Sequence, residues 1–276
     1  MHINMRQFTM VGLVESNSEV REGHYLMSLR LPLSFDLPLP GQFVMVRLEG
    51  RKDMLLARPF SVSGFCREER DVRIEILYRV AGQGTRLLAN LGIGEEVNIS
   101  GPFGRPFEIP RNIRNVILVA GGVGIAPLRY LLACLQAQGP ERTLCIDLFM
   151  GAKTVDELLE VETVRGLCDN LQVCTDDRSM GHPGRVTEPL ENAIKSYPLN
   201  DTLVCACGPV GMIRRLAEIL ARYPLACQVS LEERMACGLG ACLGCAVAVR
   251  GDDGERQYRR VCKEGPVFDL RDILWD

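Results

Sequence analysis

Up to Pro110 the apolar residues come in short alternating runs, at 9–14, 25–31, 42–48, 61–65, 72–78 and 96–100, punctuated by Gly and Pro. Period-two alternation between closely spaced turn signals predicts an antiparallel β-barrel, and helical periodicity is nearly absent. From Asn112 the period changes. Residues 115–120 form an unbroken apolar run that ends in Gly121-Gly122-Val123-Gly124-Ile125-Ala126-Pro127, after which Leu128, Leu131, Leu132 and Leu135 recur at helical spacing. That segment predicts a strand, a glycine loop and a helix. The unit is expected again as strand 144–150 with a helix opening at Thr154, where Glu157 completes the form of a capping box. Strand 171–175 precedes a polar, Gly-containing loop and a helix from near Thr187. Strand 202–206 runs into Cys207-Gly208-Pro209 and a helix carrying Met212, Ile213, Leu216, Ile219 and Leu220. Repeated strand–helix units imply a doubly wound parallel sheet with both faces covered. A Cys-rich tail begins at about Ala226. Three domains are therefore expected: a β-barrel at 1–110, the α/β domain at 111–225 and a small module at 226–276. The closing apolar residues, among them Val267, Phe268, Ile273 and Trp275, are expected to pack against the body.

The tail carries the most specific chemistry. Cys237, Cys242 and Cys245 read C-x4-C-x2-C, and Cys262 follows after a sixteen-residue interval. This is the plant-type ferredoxin spacing for a [2Fe–2S] cluster, which makes the chain an electron-transfer protein. Gly238, Gly240 and Gly244 let the loop curl tightly and turn N–H groups toward the sulfurs. Ala246-Val247-Ala248-Val249, the turn Gly251-Asp252-Asp253-Gly254 and residues 257–261 predict a hairpin that returns the fourth ligand. A zinc knuckle is the competing reading, although it joins one tight Cys pair to a second and only one exists here; inert buried thiols are the other.

Twelve Cys would suggest disulfides in a secreted chain, but no apolar run follows Met1-His2-Ile3-Asn4-Met5-Arg6-Gln7, so no signal peptide is expected. No apolar stretch reaches membrane-spanning length. A reducing compartment, the cytoplasm, is the expected location, with the other eight Cys mostly small buried hydrophobes. The net charge of −3 with interspersed signs offers no basic face for nucleic acid and argues for no membrane role. His2, His24 and His182 sit in no triad-like context and are expected to be surface or structural residues.

Gly121-Gly122-Val123-Gly124 opens a helix after a strand, where free N–H groups suit a pyrophosphate, but it lacks the third Gly of G-x-G-x-x-G and fits equally a turn closing a strand–helix unit. Cys207-Gly208-Pro209 ends another strand at the same expected edge, where ligands of doubly wound sheets collect. In the first domain Arg58-Pro59-Phe60-Ser61 places a cation, a ring and a hydroxyl together, with Arg58 and Phe60 on one strand face. It reads equally as the start of a strand with one core aromatic. Leu77-Tyr78-Arg79 and Gly82-Gln83-Gly84-Thr85 add an aromatic, a cation and a glycine-rich turn. Thr175 is followed by Asp176 and Asp177, where an acid can receive ribose hydroxyls and repel a 2′-phosphate, so NADH is preferred over NADPH; Arg178 and Arg185 oppose that inference.

Arg58-Pro59-Phe60-Ser61, Gly84-Thr85, the loop from Gly121 to Pro127 and Cys207-Gly208-Pro209 occur in the order found in the ferredoxin–NAD(P)H reductase superfamily. With the four-Cys tail, the chain resembles, essentially end to end, the electron-transfer subunits of two-subunit, NAD-linked dihydroorotate dehydrogenases. That resemblance implies an FAD-binding barrel, a domain for NAD(H) as co-substrate, and a [2Fe–2S] module between the FAD and an FMN-containing catalytic partner, in a heterotetramer of two of each chain. By the same resemblance Arg58 meets the FAD phosphates, Phe60 borders the isoalloxazine, Ser61 approaches its redox-active edge, and Pro59, Leu77, Tyr78 and Arg79 complete the flavin site. Gly84 and Thr85 would supply phosphate contacts. Gly121, Gly122, Gly124, Pro127, Asp176, Gly208 and Pro209 would bind NAD, with Cys207 near the site of hydride transfer. The parts belong together because a nicotinamide gives up two electrons as hydride, a cluster takes one at a time, and a flavin does both. The implied activity moves electrons from dihydroorotate to NAD+ in pyrimidine (UMP) biosynthesis. The alternatives are a sister reductase subunit serving a hydrogenase, a glutamate-synthase-like partner or a ferredoxin, and a zinc-bearing regulatory module without redox activity. All-Cys ligation favours the first reading, because some sister subunits are expected to replace one cluster Cys with Asp.

Overall fold

The computed structural model describes residues 9–50, 54–139 and 144–275. His2 and segment 1–7, on which the expectation of no signal peptide rests, lie outside them. The first domain runs β1 (Thr9–Arg21), β2 (His24–Pro32), β3 (Phe43–Arg47), β4 (Arg58–Ser61), β5 (Gly64–Arg67), β6 (Asp71–Arg79), α1 (Gln83–Ala89) and β7 (Glu96–Phe103). Its strands are antiparallel neighbours in the order β4-β3-β7-β1-β2-β6-β5. The strand expected over 61–65 is two strands at opposite ends of that order. Between them the Val62 N–H donates to the Gln42 carbonyl and the Ser63 N–H to the Glu75 carbonyl, so the chain crosses from one edge to the other and closes the barrel. Alternation fills its interior: Met27, Leu29, Leu31, Val44, Val46, Ile74, Ile76, Val97 and Ile99 share one core.

Two elements were hidden from the pattern. β1 continues to Arg21 through a polar stretch, held by the β2 ladder up to Arg21↔His24. α1 is only seven residues long, too short for a helical period to show.

The second domain runs β8 (Asn115–Gly121), α2 (Ile125–Gln136), β9 (Cys145–Ala152), α3 (Val161–Arg165), β10 (Asn170–Thr175), β11 (His182–Pro183), α4 (Thr187–Ala193), β12 (Thr202–Cys207), α5 (Val210–Leu220) and β13 (Ala226–Ser230). The tail adds β14 (Ala246–Arg250), β15 (Arg256–Arg260) and β16 (Val267–Asp269). The sheet order is β11-β10-β9-β8-β12-β13-β16, parallel from β11 to β13 with β16 antiparallel at the edge. Both faces of the central strands are apolar because both are covered. Val116, Leu118 and Ala120 share a core with Leu128, Leu131 and Leu132 of α2, whereas Ile117, Val119 and Val204 share one with Leu190 of α4 and Ile213 and Leu216 of α5.

The helix expected from Thr154 is a single 3-10 turn, Val155–Glu157; the Thr154 side chain makes no capping bond and the chain is extended again at Leu158. α3 starts only after Glu160, which takes φ +58°. The division expected at 225/226 cuts through the sheet. β13 pairs with β12 from Leu203↔Ala226 to Cys207↔Ser230, and β16 pairs with β13, so the tail is laced into the second domain. Cys227 and Val229 are buried there, as are Val267, Phe268, Leu270 and Ile273, consistent with the packing expected of the closing residues. The β14–β15 hairpin forms where the pattern placed it.

Of the eight Cys outside the motif, Cys174, Cys205, Cys207 and Cys227 are buried, Cys134 and Cys168 half-buried, and Cys66 and Cys145 exposed. Burial as small hydrophobes therefore holds for half of them. His24 is buried with Nδ1 2.9 Å from the Glu22 carbonyl, and His182 lies 3.8 Å from Glu188. No described helix is long and apolar enough to cross a membrane.

Candidate functional site

A cleft of about 250 Å³ opens where all three parts meet. The barrel contributes Pro59, Phe60 and Ser61 from β4 and Leu77, Tyr78 and Arg79 from β6; the loop after β8 contributes Val123, and the tail Glu232 and Met235. Phe60 and Tyr78 pack with ring centroids 5.5 Å apart. The Tyr78 hydroxyl donates to Asn17 Oδ1 (3.0 Å), and burial raises its pKa. Asn17 Nδ2 in turn donates to the carbonyls of Leu88, Ala89 and Leu91, tying the aromatic wall to the end of α1. At the other end of α1, a Cβ on Gly84 would lie 2.9 Å from Arg58 Nε, so only glycine lets the guanidinium rest on this turn. The Thr85 hydroxyl accepts from the N–H groups of Ala81 and Gly82 and donates to the Gly82 carbonyl. Thr85 thus shapes the turn through its hydroxyl. These groups fit a flavin dinucleotide: an aromatic-walled slot continues to a glycine turn with a cation over it.

The two glycine loops meet at the point where strand order reverses between β8 and β12, the crevice where doubly wound sheets bind ligands. Their glycines are needed for mutual approach. A Cβ on Gly124 would overlap the Cys207 carbonyl, 2.5 Å from its carbon; one on Gly121 would lie 2.7 Å from Pro209 Cδ, and one on Gly208 2.9 Å from the Gly121 nitrogen. Gly122, at φ +52°, faces open space. Pro127 is buried in α2. Cys207 is buried beneath the junction; burial, then the Glu232 charge, raise its thiol pKa, while Ser230 opposes them. Asp176 is exposed at the carboxyl end of β10, its N–H donating to the Ala152 carbonyl, with β9 between it and the glycine loop. A second cavity, about 520 Å³, lies between Gly208-Pro209 and the tail and shares Leu231, Glu232 and Glu233 with the flavin cleft.

Glu232 is the residue sequence reasoning missed. Leu231-Glu232-Glu233-Arg234 reads as surface, and Glu232 is exposed, but it lines both cavities and desolvation by their walls raises its pKa. No local signal could have found it.

In the tail, Gly238 (φ +69°), Gly240 (φ +79°) and Leu243 (φ +61°) bend the loop. The four thiols form two pairs, Cys237 with Cys242 and Cys245 with Cys262. No three of the described His, Cys, Asp or Glu side chains gather around a single ion. Two pairs suit a two-iron cluster with two thiolates on each iron. Backbone donors are aimed at the sulfurs: Leu239 N to Cys237 Sγ (3.4 Å), Gly240 N to Cys262 Sγ (3.1 Å) and Cys262 N to Cys245 Sγ (3.5 Å). Burial pushes the Cys237 thiol up, but the N–H groups of Leu239, Cys242 and Ala241 and the Cys242 thiol outweigh it and bring it down to about 6. Burial, then the neighbouring Cys245, pushes the Cys262 thiol up to about 12. Arg260 braces the loop, donating to the Gly240 carbonyl (2.8 Å) and pairing with Glu264, whose carboxyl it holds down at about 2. Cys245 and Cys262 are buried, whereas Cys242 and Leu243 are exposed, so the loop turns one edge outward.

Fold and site define a flavin- and nicotinamide-dependent oxidoreductase of the ferredoxin reductase type with an iron–sulfur module. Family models agree: an oxidoreductase FAD-binding domain at 12–107, an oxidoreductase NAD-binding domain at 118–218, and the iron–sulfur cluster binding domain of dihydroorotate dehydrogenase B at 232–274. The chain is 42% identical over 238 residues, 86% of its length and 88% of the relative's, to the dihydroorotate dehydrogenase B (NAD+) electron transfer subunit of Caldanaerobacter subterraneus subsp. tengcongensis. It is 34% identical to that of Clostridium acetobutylicum over 96% of both chains. Among solved structures it resembles an NADH-dependent reduced ferredoxin–NADP oxidoreductase described for flavin-based electron bifurcation, at TM-score 0.81 and 28% identity over 96% of this chain and 90% of that one. The chain belongs to the family of dihydroorotate dehydrogenase B electron transfer subunits.

Proposed function

We propose that this chain carries electrons between NAD+ and a separate, FMN-containing dihydroorotate dehydrogenase subunit in the cytoplasm, two of each chain forming the working complex for UMP synthesis. When bound, FAD supplies the exchange between hydride chemistry and single-electron transfer. Arg58 and the Gly84 turn, shaped by Thr85, grip its phosphates, and Pro59, Phe60, Ser61, Leu77, Tyr78 and Arg79 enclose its ring. Gly121, Gly122, Gly124, Pro127, Gly208 and Pro209 form the nicotinamide nucleotide loops over Cys207, and Asp176 receives the ribose hydroxyls. Cys237, Cys242, Cys245 and Cys262 hold the cluster.

The observation that carries this reading is contiguity: one cleft is walled by the barrel, the β8 loop and the tail, and the tail's cysteine loop presents Cys242 and Leu243 to solvent. Electrons can then enter or leave at the outer edge while the nucleotide chemistry stays inside. Alone, the loaded subunit should oxidise NADH with an artificial dye but leave dihydroorotate untouched. Mixed with the FMN subunit it should support dihydroorotate-dependent NAD+ reduction. Leu243→Asp should impair assembly while sparing dye activity, and kcat/KM should favour NADH over NADPH. A second reading, a sister reductase with another acceptor, draws support from the likeness to the NADH-dependent ferredoxin–NADP oxidoreductase. No NAD+ reduction with any dihydroorotate dehydrogenase partner would favour it.

A further inference from the structure

Arg129 lies on α2, two residues beyond Pro127, and its side chain crosses to the barrel. Nη1 donates to the Ser63 carbonyl (2.8 Å) and to Glu75 Oε2 (2.6 Å), while Nε lies 3.1 Å from Glu160 Oε2. All three side chains are largely sheltered, at 16% exposure for Arg129, 28% for Glu75 and 11% for Glu160. Ser63 is two residues from Ser61 on the cleft wall, and Glu75 sits on β6, whose Leu77, Tyr78 and Arg79 line the same cleft. One guanidinium therefore joins the helix that opens from the glycine loop to β6 and to the link that follows β4, two strands that wall the flavin cleft.

The arrangement is built for this contact. A Cβ on Gly64 would overlap Glu75 Oε2 and lie 3.0 Å from Arg129 Nη1, so glycine makes room for the ion pair. Glu160 reaches Arg129 from a left-handed backbone, φ +58°, which is costly for a residue with a Cβ. Beside the clasp the domains are not packed shut: a cavity of about 430 Å³ remains, lined by Ser63, Phe65, Glu75, Arg129 and Thr163 among others. Elsewhere the interface is mainly apolar, with Leu77 and Phe107 of the barrel inside the core of α2, and the Tyr130 hydroxyl adds one buried hydrogen bond to the Pro38 carbonyl (2.7 Å). Apolar contact is non-directional and does not by itself fix a register. The two hydrogen bonds from Arg129 Nη1 are directional, and the ion pair of Nε with Glu160 ties the same guanidinium to a third point.

We infer that Arg129 is a positioning residue: by clasping Ser63, Glu75 and Glu160 it sets how closely the nicotinamide loop approaches the flavin cleft. The inference rests on the nucleotide sites proposed above. A misplacement of about 1 Å in reacting groups costs on the order of a hundredfold in rate, so loss of the clasp should appear in the reaction more than in folding.

The test uses the subunit loaded with FAD and cluster, mixed anaerobically with saturating NADH, and compares Arg129→Gln, Arg129→Lys and Glu160→Gln with the unaltered protein. Flavin bleaching at saturation should slow at least about tenfold in Arg129→Gln, with NADH affinity changed less than about threefold. Flavin and cluster contents should be unchanged, and any long-wavelength nicotinamide–flavin absorbance weakened. Arg129→Lys should recover only part of the rate, because a compact ammonium on a flexible stem lacks the planar, pre-organised geometry with which the guanidinium meets Ser63, Glu75 and Glu160 together. Glu160→Gln, which keeps Arg129, Ser63 and Glu75 in place, should fall between and guards against a misfolded arginine variant. Hydrogen exchange should quicken at 61–64 and 121–127 in each variant. Rates within about twofold of the unaltered protein in both Arg129→Gln and Glu160→Gln, or losses that merely track lost flavin, would overturn the inference. If NADH fails to bleach the unaltered protein, the nucleotide-site reading itself is wrong.

Discussion

Replacing Gly84 by Ala should lower FAD affinity without weakening the fold. The added Cβ would lie 2.9 Å from Arg58 Nε, 3.0 Å from Nη2 and 3.1 Å from Cζ. Since the guanidinium is the far end of a flexible side chain, held among the described residues only by its hydrogen bond to the Leu56 carbonyl, it can swing away while the barrel stays intact. A charge-assisted contact to phosphate contributes about 1.5–3 kcal/mol, so a displaced Arg58 should weaken FAD roughly tenfold to hundredfold. Stability should move the other way or not at all, because Gly84 lies within α1 and Ala is favoured over Gly in a helix by up to about 1 kcal/mol. Apoprotein titrated with FAD, followed by flavin fluorescence quenching, measures the first effect, and thermal melting of the apoprotein the second. Gly82→Ala is the internal control: its backbone is extended, its Cβ would meet nothing within 4 Å, and its affinity should stay within about twofold of the unaltered protein. Arg58→Ala should cost as much as Gly84→Ala, and the double variant little more than either. Unchanged FAD affinity in Gly84→Ala would refute the role given to this turn.

Cys242→Ser should remove or destabilise the cluster while leaving flavin and NADH–dye activity in place; an unaltered EPR signal after reduction would refute the ligand assignment. Gly124→Ala forces a Cβ into the Cys207 carbonyl, a backbone obstacle that cannot swing aside. It should cost about 1–3 kcal/mol in chemical denaturation and abolish NADH binding with FAD retained. Desolvation in the cavities it lines raises the folded pKa of Glu232, so the stability it contributes is full below its ordinary value of 4.5 and is lost as pH rises through the raised one. Glu232→Gln should therefore melt higher than the unaltered protein at neutral pH, with the gap closing in acid; a gap independent of pH would show that the carboxyl is not perturbed.

The cysteine motif was legible because it is mostly local: Cys237, Cys242 and Cys245 share one loop, and the hairpin that returns Cys262 announced itself through its turn. The glycine loops were legible only as an ambiguity. Gly124 and Gly121 could have served a ligand or merely a turn, and the structure adds a reason invisible along the chain, the close approach of β8 and β12 at their carboxyl ends. Thr154 misled because a capping box specifies a helix start only if the following residues have somewhere to pack, and here the chain straightens at Leu158.

Sequence alone was sufficient for the period of most elements, the change from barrel to α/β pattern near Pro110, and the spacing of the four-Cys motif. Those properties depend on residues a few positions apart. Tertiary structure alone decided that β4 and β5 split to close the barrel, that β13 and β16 complete the second sheet, that Glu232 is drawn between two cavities, and that Arg129 reaches Glu75 across 54 positions. Burial and partnership of this kind are set by groups far apart in the chain, and no local period records them.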